Sequence, residues 1–144
     1  MQPFQDYQGI SEQLVHYGCA LDNRAWSSLE SVFSEDAVAD YGSLGVFNGR
    51  AAIIDVVRGF LDSCGPTQHL IGSIRIQIDG DTARSSCYVQ AIHASREVGD
   101  KRLMLLWGEY QDQLQRTACG WKIRHRRLRV QHIHGDIGVA LRGV

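Results

Sequence analysis

The stretch PTQHLIGSIRIQIDGDTARS, residues 66–85, puts a titratable imidazole, His69, at the head of an otherwise ordinary isoleucine-rich strand. A histidine there is either a polar strand end facing water or a general base with a partner elsewhere in the chain. Asp22 is the first carboxylate to inspect. At 100° per residue it falls at the border of the apolar stripe of the first helical segment, next to Gly18, where an acid is rarely buried without a partner. The other reading is a residue that caps or solvates the helix end near Asn23. His93 closes a strip of small residues, Cys87, Val89 and Ala91, on one strand face. It either lines a ligand space or is a core histidine bonded to backbone. Tyr41, at the end of AVADY, and Tyr17, on the first helix, are candidate hydrogen-bonding phenols whose usual task is packing. On the last strand Trp121, Ile123, His125, Arg127 and Arg129 alternate with Lys122, Arg124, Arg126, Leu128 and Val130. If Trp121 and Ile123 pack on the helices, Arg127 shares their face and reaches inward. His132 and His134 form an HxH pair, but no third ligand stands at a fixed spacing, so no metal site is expected.

Two periodicities must position these groups. Up to about residue 64 the pattern is helical: Ile10, Leu14, Tyr17, Leu21 and Ala25 recur at three- and four-residue steps. Trp26, Leu29, Val32 and Phe33 continue as a second, shorter helical piece, and a short strand fits residues 37–41. After Gly49, the segment RAAIIDVVRGFLDSC is amphipathic through Ile53, Val56, Val57, Phe60 and Leu61, and Gly65-Pro66 ends it. Beyond Pro66 the period becomes two. Strands are expected near 68–78, 82–96, 102–116 and 120–134, the first pair joined by the tight turn Asp79-Gly80-Asp81. Helices followed by a meander of long strands predict an α+β fold, one curved sheet over a helical layer with a cavity at its open end. His69 has the opposite parity from Ile74, Ile76 and Ile78, so all can face inward only if the strand bulges, and Gly72 is the place for it. Leu103, Leu105 and Trp107 share one strand face while Met104 and Leu106 take the other. Apolar residues on both faces predict a homo-oligomer, a dimer or trimer, covering the outer one.

The 144 residues are read as one domain, residues 1–144, long enough to bury a core and an internal cavity. With 44% hydrophobic and 22% charged residues, the composition is that of a soluble globular protein. A net charge of −1 gives no general attraction to nucleic acid or membrane surfaces. With no spanning segment and no leader pattern, a cytoplasmic protein is expected. Four cysteines, Cys19, Cys64, Cys87 and Cys119, form no CxxC pair and read as reduced packing residues.

The segments LDNRAWSSLESVFSEDAVADYG, FNGRAAIIDVVRGF, TQHLIGSIRIQIDGDTARSSCYV and WGEYQDQLQRTACGWKIRHRRL, taken in order, resemble the SnoaL-like branch of the NTF2-like superfamily. The resemblance implies an α+β cone: a strongly curved mixed or antiparallel sheet wrapped around N-terminal helices, with an internal pocket. Within that superfamily the pattern is most similar to scytalone dehydratase-like proteins. It implies an Asp–His acid–base dyad of Asp22 and His69, with His93 and Tyr41 as further catalytic candidates. Tyr17 and Arg127, the latter with Arg126 as its rival, are the implied substrate-binding residues. Leu21 stands before Asp22 where scytalone dehydratases have a tyrosine. The implied activity is a cofactor-independent lyase, a dehydratase acting on a small hydrophobic cyclic or polycyclic hydroxy-ketone. An isomerase or cyclase in the same pocket, or a ligand-binding cone without chemistry, are the other uses of such a fold.

Overall fold

A computed structural model of the chain describes residues 2–138. The N-terminal apolar stripe forms helix α1, Gln2–Asp22, which buries Ile10, Leu14, Tyr17 and Leu21. The helix stops at the Asn23-Arg24 bend, where Arg24 takes a left-handed φ of 54°. Trp26, Leu29 and Val32 lie three residues apart, the repeat of a 3₁₀ rather than an α-helix, and Trp26–Ser31 is a 3₁₀ segment. Phe33, expected at the end of that helical piece, instead opens strand β1, Phe33–Asp40, which is longer than the sequence indicates. A second short strand, β2, Val46–Asn48, pairs with it. Helix α2 follows at Arg50–Asp62 and turns Ile53, Val57 and Leu61 into the core.

Four long strands complete the chain: β3 Thr67–Asp79, β4 Thr82–Ala94, β5 Leu103–Thr117 and β6 Gly120–Gly135. They form one six-stranded sheet in the order β2-β1-β6-β5-β4-β3, antiparallel except where β1 runs parallel to β6. This mixed, curled sheet closes over α1 and α2, so the α+β cone expected from the sequence is the observed architecture. Among the described residues, no helix is long and apolar enough to cross a membrane.

Bulges decide which side chains enter the cone. On β3 the partner of Gly72 is Tyr88 and that of Arg75 is Ser86, so one extra residue is accommodated there. Ser73, at φ 50°, is the residue that takes the irregular conformation. The bulge switches parity, and His69 and Ile71 point inward together with Ile74, Ile76 and Ile78. On β6, Gln113 faces His125 while Leu114 faces Ile123, which leaves Arg124 as an extra residue. That shift corrects one expectation. Beyond the bulge Arg126, not Arg127, shares the inward face with Trp121 and Ile123; Arg127 is exposed on the outer face, opposite Gln111.

Arg126 is fully buried, and its Nε and Nη2 donate to the two carboxylate oxygens of Asp112 at 2.8 Å each. Its guanidinium carbon lies 4.3 Å from the Tyr17 ring centre and 4.1 Å from that of Tyr110. Burial alone would favour losing the proton; the Asp112 carboxylate outweighs it and keeps the guanidinium charged. A second clamp lies at the other end of α1, where Arg116 spans Asp6 and Asp81 and the Trp121 indole donates to Asp6. Breaking a buried pair from one side leaves an uncompensated charge. Asp112→Leu is therefore expected to lower unfolding free energy by about 3–5 kcal/mol, measured by urea denaturation. The double variant Asp112→Leu/Arg126→Met is expected to recover most of that loss.

Candidate active site

Asp22 is the last residue of α1. A carboxylate at a helix C-terminus faces the negative end of the helix dipole, so the position is unfavourable unless donors surround it. Two come from His69: the backbone N–H donates to Oδ2 at 2.8 Å and the ring Nδ1 lies 2.7 Å from Oδ1. The third is the Thr67 hydroxyl, which donates to Oδ1 at 3.0 Å. Burial by itself would raise the Asp22 pKa; the hydrogen bonds from the His69 ring and amide, with Thr67, bring it below its ordinary value. The group is thus an acceptor only, and the Nδ1 nitrogen must carry the imidazole proton toward it. Nε2 is left with a free lone pair. Gly18 permits the close approach of α1 to β3, since a Cβ there would lie 3.3 Å from Ile71 Cγ1 and 3.4 Å from the His69 carbonyl oxygen.

His69 lines an internal cavity of about 80 Å³. The walls are Leu21, Val57, Phe60, Leu61, Val89, Ala91 and Leu106, with Leu44 and Leu128 also contributing. Its polar groups are His69, His93, Tyr17, Tyr41 and Tyr110. Leu21, which precedes Asp22, is an apolar wall. The ring centres of His69 and His93 are 5.5 Å apart and nearly perpendicular. His93 Nδ1 donates to the Met104 carbonyl at 3.2 Å, which directs its bare Nε2 away from that backbone contact. Burial first, and then the neighbouring His69, lower its pKa to about 4. At neutral pH it is therefore a neutral acceptor and not a proton donor.

The phenols form a second polar group in the lining of this cavity. Tyr17 and Tyr41 hydroxyls are 3.1 Å apart, and the Tyr17 and Tyr110 rings meet edge to face at 5.5 Å. Burial, followed by the neighbouring Tyr17, pushes the Tyr41 pKa well above the phenol range, so this residue keeps its proton and acts as a hydrogen-bond donor. The structure thus brings His69, His93, Tyr41 and Tyr17 to the lining of one pocket, holds Asp22 against His69 outside that lining, and leaves Arg127 out. Arg126 lies beneath the phenol rings. His132 stacks on Trp107 at 5.2 Å on the outer face, and among the described residues no His, Cys, Asp or Glu cluster could hold a metal ion. Tyr110 and Thr67 were not singled out from sequence, although Tyr110 has the parity of Met104 and Leu106. Thr67 stands two residues before His69 and so shares its face.

The sequence profile of the SnoaL-like domain matches residues 2–127. The chain belongs to the SnoaL-like family. An uncharacterized protein of Mycobacterium tuberculosis H37Rv is 35% identical over 121 residues, 81% of this chain and 80% of its relative. Among solved structures, a candidate scytalone dehydratase from Novosphingobium aromaticivorans superposes with a TM-score of 0.85 at 23% identity, covering 93% of this chain and 89% of the other. The hexachlorocyclohexane dehydrochlorinase LinA-type3 from Novosphingobium barchaimii LL02 gives 0.81 at 16% identity, over 95% and 94%. These similarities confirm the fold of this SnoaL-like chain.

The burial of His93 sets a pH dependence. Its pKa of about 4 in the folded protein lies below the ordinary 6.5, so the unfolded chain takes up the proton first as pH falls. The stability gained by keeping it neutral is present above pH 6.5 and is lost as the pH falls to about 4. Denaturation midpoints across that window are expected to show a loss of about 3 kcal/mol, most of which disappears in His93→Gln.

Proposed function

We propose that this SnoaL-like protein is a lyase of the dehydratase type, in which His69 removes a proton beside a carbonyl of a small cyclic hydroxy-ketone. One observation carries the reading: the His69 imidazole is bonded through Nδ1 to a part-buried carboxylate and lines an apolar cavity, with Nε2 bonded to none of the described residues. In an elimination the C–H bond breaks to give its proton to Nε2, and its electron pair is held as the enolate on the carbonyl oxygen until it forms the new C=C bond as the hydroxyl departs. The C–O bond then breaks, and the hydroxyl leaves with the proton returned from His69, so that water is the second product. Asp22 stabilises the imidazolium between the two steps. Tyr41 donates a hydrogen bond to the carbonyl oxygen as charge gathers on it while its own oxygen accepts from Tyr17, and Tyr110 lines the same pocket. Neutral His93 accepts from the substrate hydroxyl and orients it. Positioned proton transfer of this kind contributes roughly 10²–10⁴-fold. The proton moves only between substrate and His69, so the route calls on no cofactor. The candidate dehydratase and the dehydrochlorinase among the structural neighbours support this class of chemistry by analogy of fold.

The cavity volume of about 80 Å³ favours a one-ring substrate over a polycyclic one, with Phe60, Leu44 and Leu128 as the side chains that would yield to a larger ligand. The outer sheet face supports a homo-oligomer. Leu70, Tyr88, Ile92, Leu103 and Trp107 are exposed there on neighbouring strands, and a second copy of the chain would cover them. Light scattering is expected to show a dimer or trimer at micromolar concentration, and Trp107→Glu to dissociate it; a monomeric wild type would remove this part of the proposal.

A thermal-shift screen of small cyclic hydroxy-ketones, followed by turnover assays, tests the chemistry. His69→Ala and Asp22→Asn are expected to bind the hit nearly as well as wild type but to lose on the order of 10²-fold or more in kcat. Tyr41→Phe is expected to lose less, about ten-fold, because it removes one hydrogen bond and no proton-transfer group. Deuterium uptake without loss of water would place the reaction with isomerases instead. Wild-type turnover in both dyad variants would refute acid–base catalysis by this pair.

A further inference from the structure

His69 is not the only residue holding Asp22. The Thr67 hydroxyl lies 3.0 Å from Asp22 Oδ1 and 2.8 Å from Arg24 Nη1. A guanidinium has donors and no acceptor, so the Thr67 oxygen must accept from Arg24. The single hydroxyl proton is then left for Asp22, which as a carboxylate can only accept. Proton bookkeeping thus allows the Thr67 hydroxyl one satisfied orientation.

Arg24 is fixed in turn from both elements it joins. Nη1 also donates to the Leu21 carbonyl at 2.8 Å, near the end of α1, and Nη2 donates to the Gly65 carbonyl at 2.7 Å, just before β3. Its backbone sits at φ 54°, a conformation that a residue with a Cβ rarely adopts and that persists only where surrounding contacts over-determine it. Gly65 has no room to vary either, since a Cβ there would lie 2.4 Å from the Ser95 carbonyl oxygen. A strained backbone, a donor-only side chain and an obligatory glycine all converge on a hydroxyl whose proton goes to Asp22.

We propose that Arg24 and Thr67 are positioning residues of the dyad: Arg24 turns the Thr67 hydroxyl onto Asp22, and that bond holds Oδ1 in line with the His69 Nδ1 proton. The proposal rests on the acid–base reading of Asp22 and His69. It differs from a simple tie between α1 and β3, because Thr67→Val preserves the shape of the residue and the two carbonyl contacts of Arg24 while removing the hydroxyl that accepts from Arg24 and donates to Asp22.

The test follows the Asp22 carboxyl titration by ¹³C NMR in wild type, Thr67→Val, Thr67→Ser and Arg24→Gln, which requires no substrate. The Asp22 midpoint is expected to rise in Thr67→Val and Arg24→Gln and to stay at the wild-type value in Thr67→Ser. Once a substrate is identified, kcat of Thr67→Val is expected to fall about ten-fold with KM changed by no more than about two-fold, and Thr67→Ser to restore it. A folded Thr67→Val protein with an unmoved Asp22 midpoint overturns the proposal, whether or not its thermal stability changes. Should Thr67→Val fail to fold, an unmoved midpoint in Arg24→Gln does the same. If the midpoints move as expected but the dyad variants keep wild-type turnover, the positioning stands and the acid–base reading falls.

Discussion

The 2.7 Å contact between the Asp22 carboxylate and the His69 ring joins the end of α1 to the start of β3, and much of the architecture makes sense as the means of keeping it. A carboxylate at the negative end of a helix, partly out of water, is a costly arrangement that ordinary packing does not produce. It is sustained by donors that come from one short segment, residues 67–69, and that segment reaches the helix because Gly18 lets the backbones approach. The aspartate then determines the chemistry of its neighbour. An acceptor-only partner forces the proton onto Nδ1 and leaves Nε2 basic, facing a cavity whose walls are almost all hydrocarbon.

That apolar surrounding gives the polar groups different tasks. His93 is chemically identical to His69 but lacks a carboxylate, and its burial, with the neighbouring His69, holds it neutral against the opposing pull of the Met104 carbonyl. Tyr41 and Tyr110 keep their protons because burial disfavours their charged forms. One site therefore contains a supported imidazole able to cycle its charge, an unsupported one that offers the pocket only an acceptor, and phenol hydroxyls in the same lining. The buried Arg126–Asp112 pair lies behind the phenols, with its guanidinium against the faces of Tyr17 and Tyr110. A cation on the ring face draws electron density from the phenol, which makes each hydroxyl a better donor without ionising it.

Much of this was legible in the sequence because the signals were periodic. The stripe Ile10, Leu14, Tyr17, Leu21 gives α1, the change to alternation after Pro66 gives the sheet, and the mismatch between His69 and Ile74 required the bulge that Ser73 supplies. What failed was parity carried across an unmarked irregularity. The bulge at Arg124 has no glycine to announce it, so counting by twos from Ile123 led to Arg127, whereas the strand delivers Arg126. The 3₁₀ turn and the early start of β1 were missed because three-residue spacing fits the beginning of an α-helix equally well. Arg24 gave no signal in one dimension, and Thr67 only its shared face with His69. Their part depends on a hydrogen-bond direction that exists only once the two segments meet.

The central claim is that Asp22 holds His69 as the Nδ1–H tautomer with a bare Nε2 in the pocket. The most direct measurement is ¹⁵N NMR of the His69 side chain in ligand-free protein at pH 7.5, with assignment by comparison to His69→Gln. The account predicts a protonated, pyrrole-type Nδ1 and an unprotonated, pyridine-type Nε2. A proton found on Nε2 would leave the cavity without a base and would contradict it.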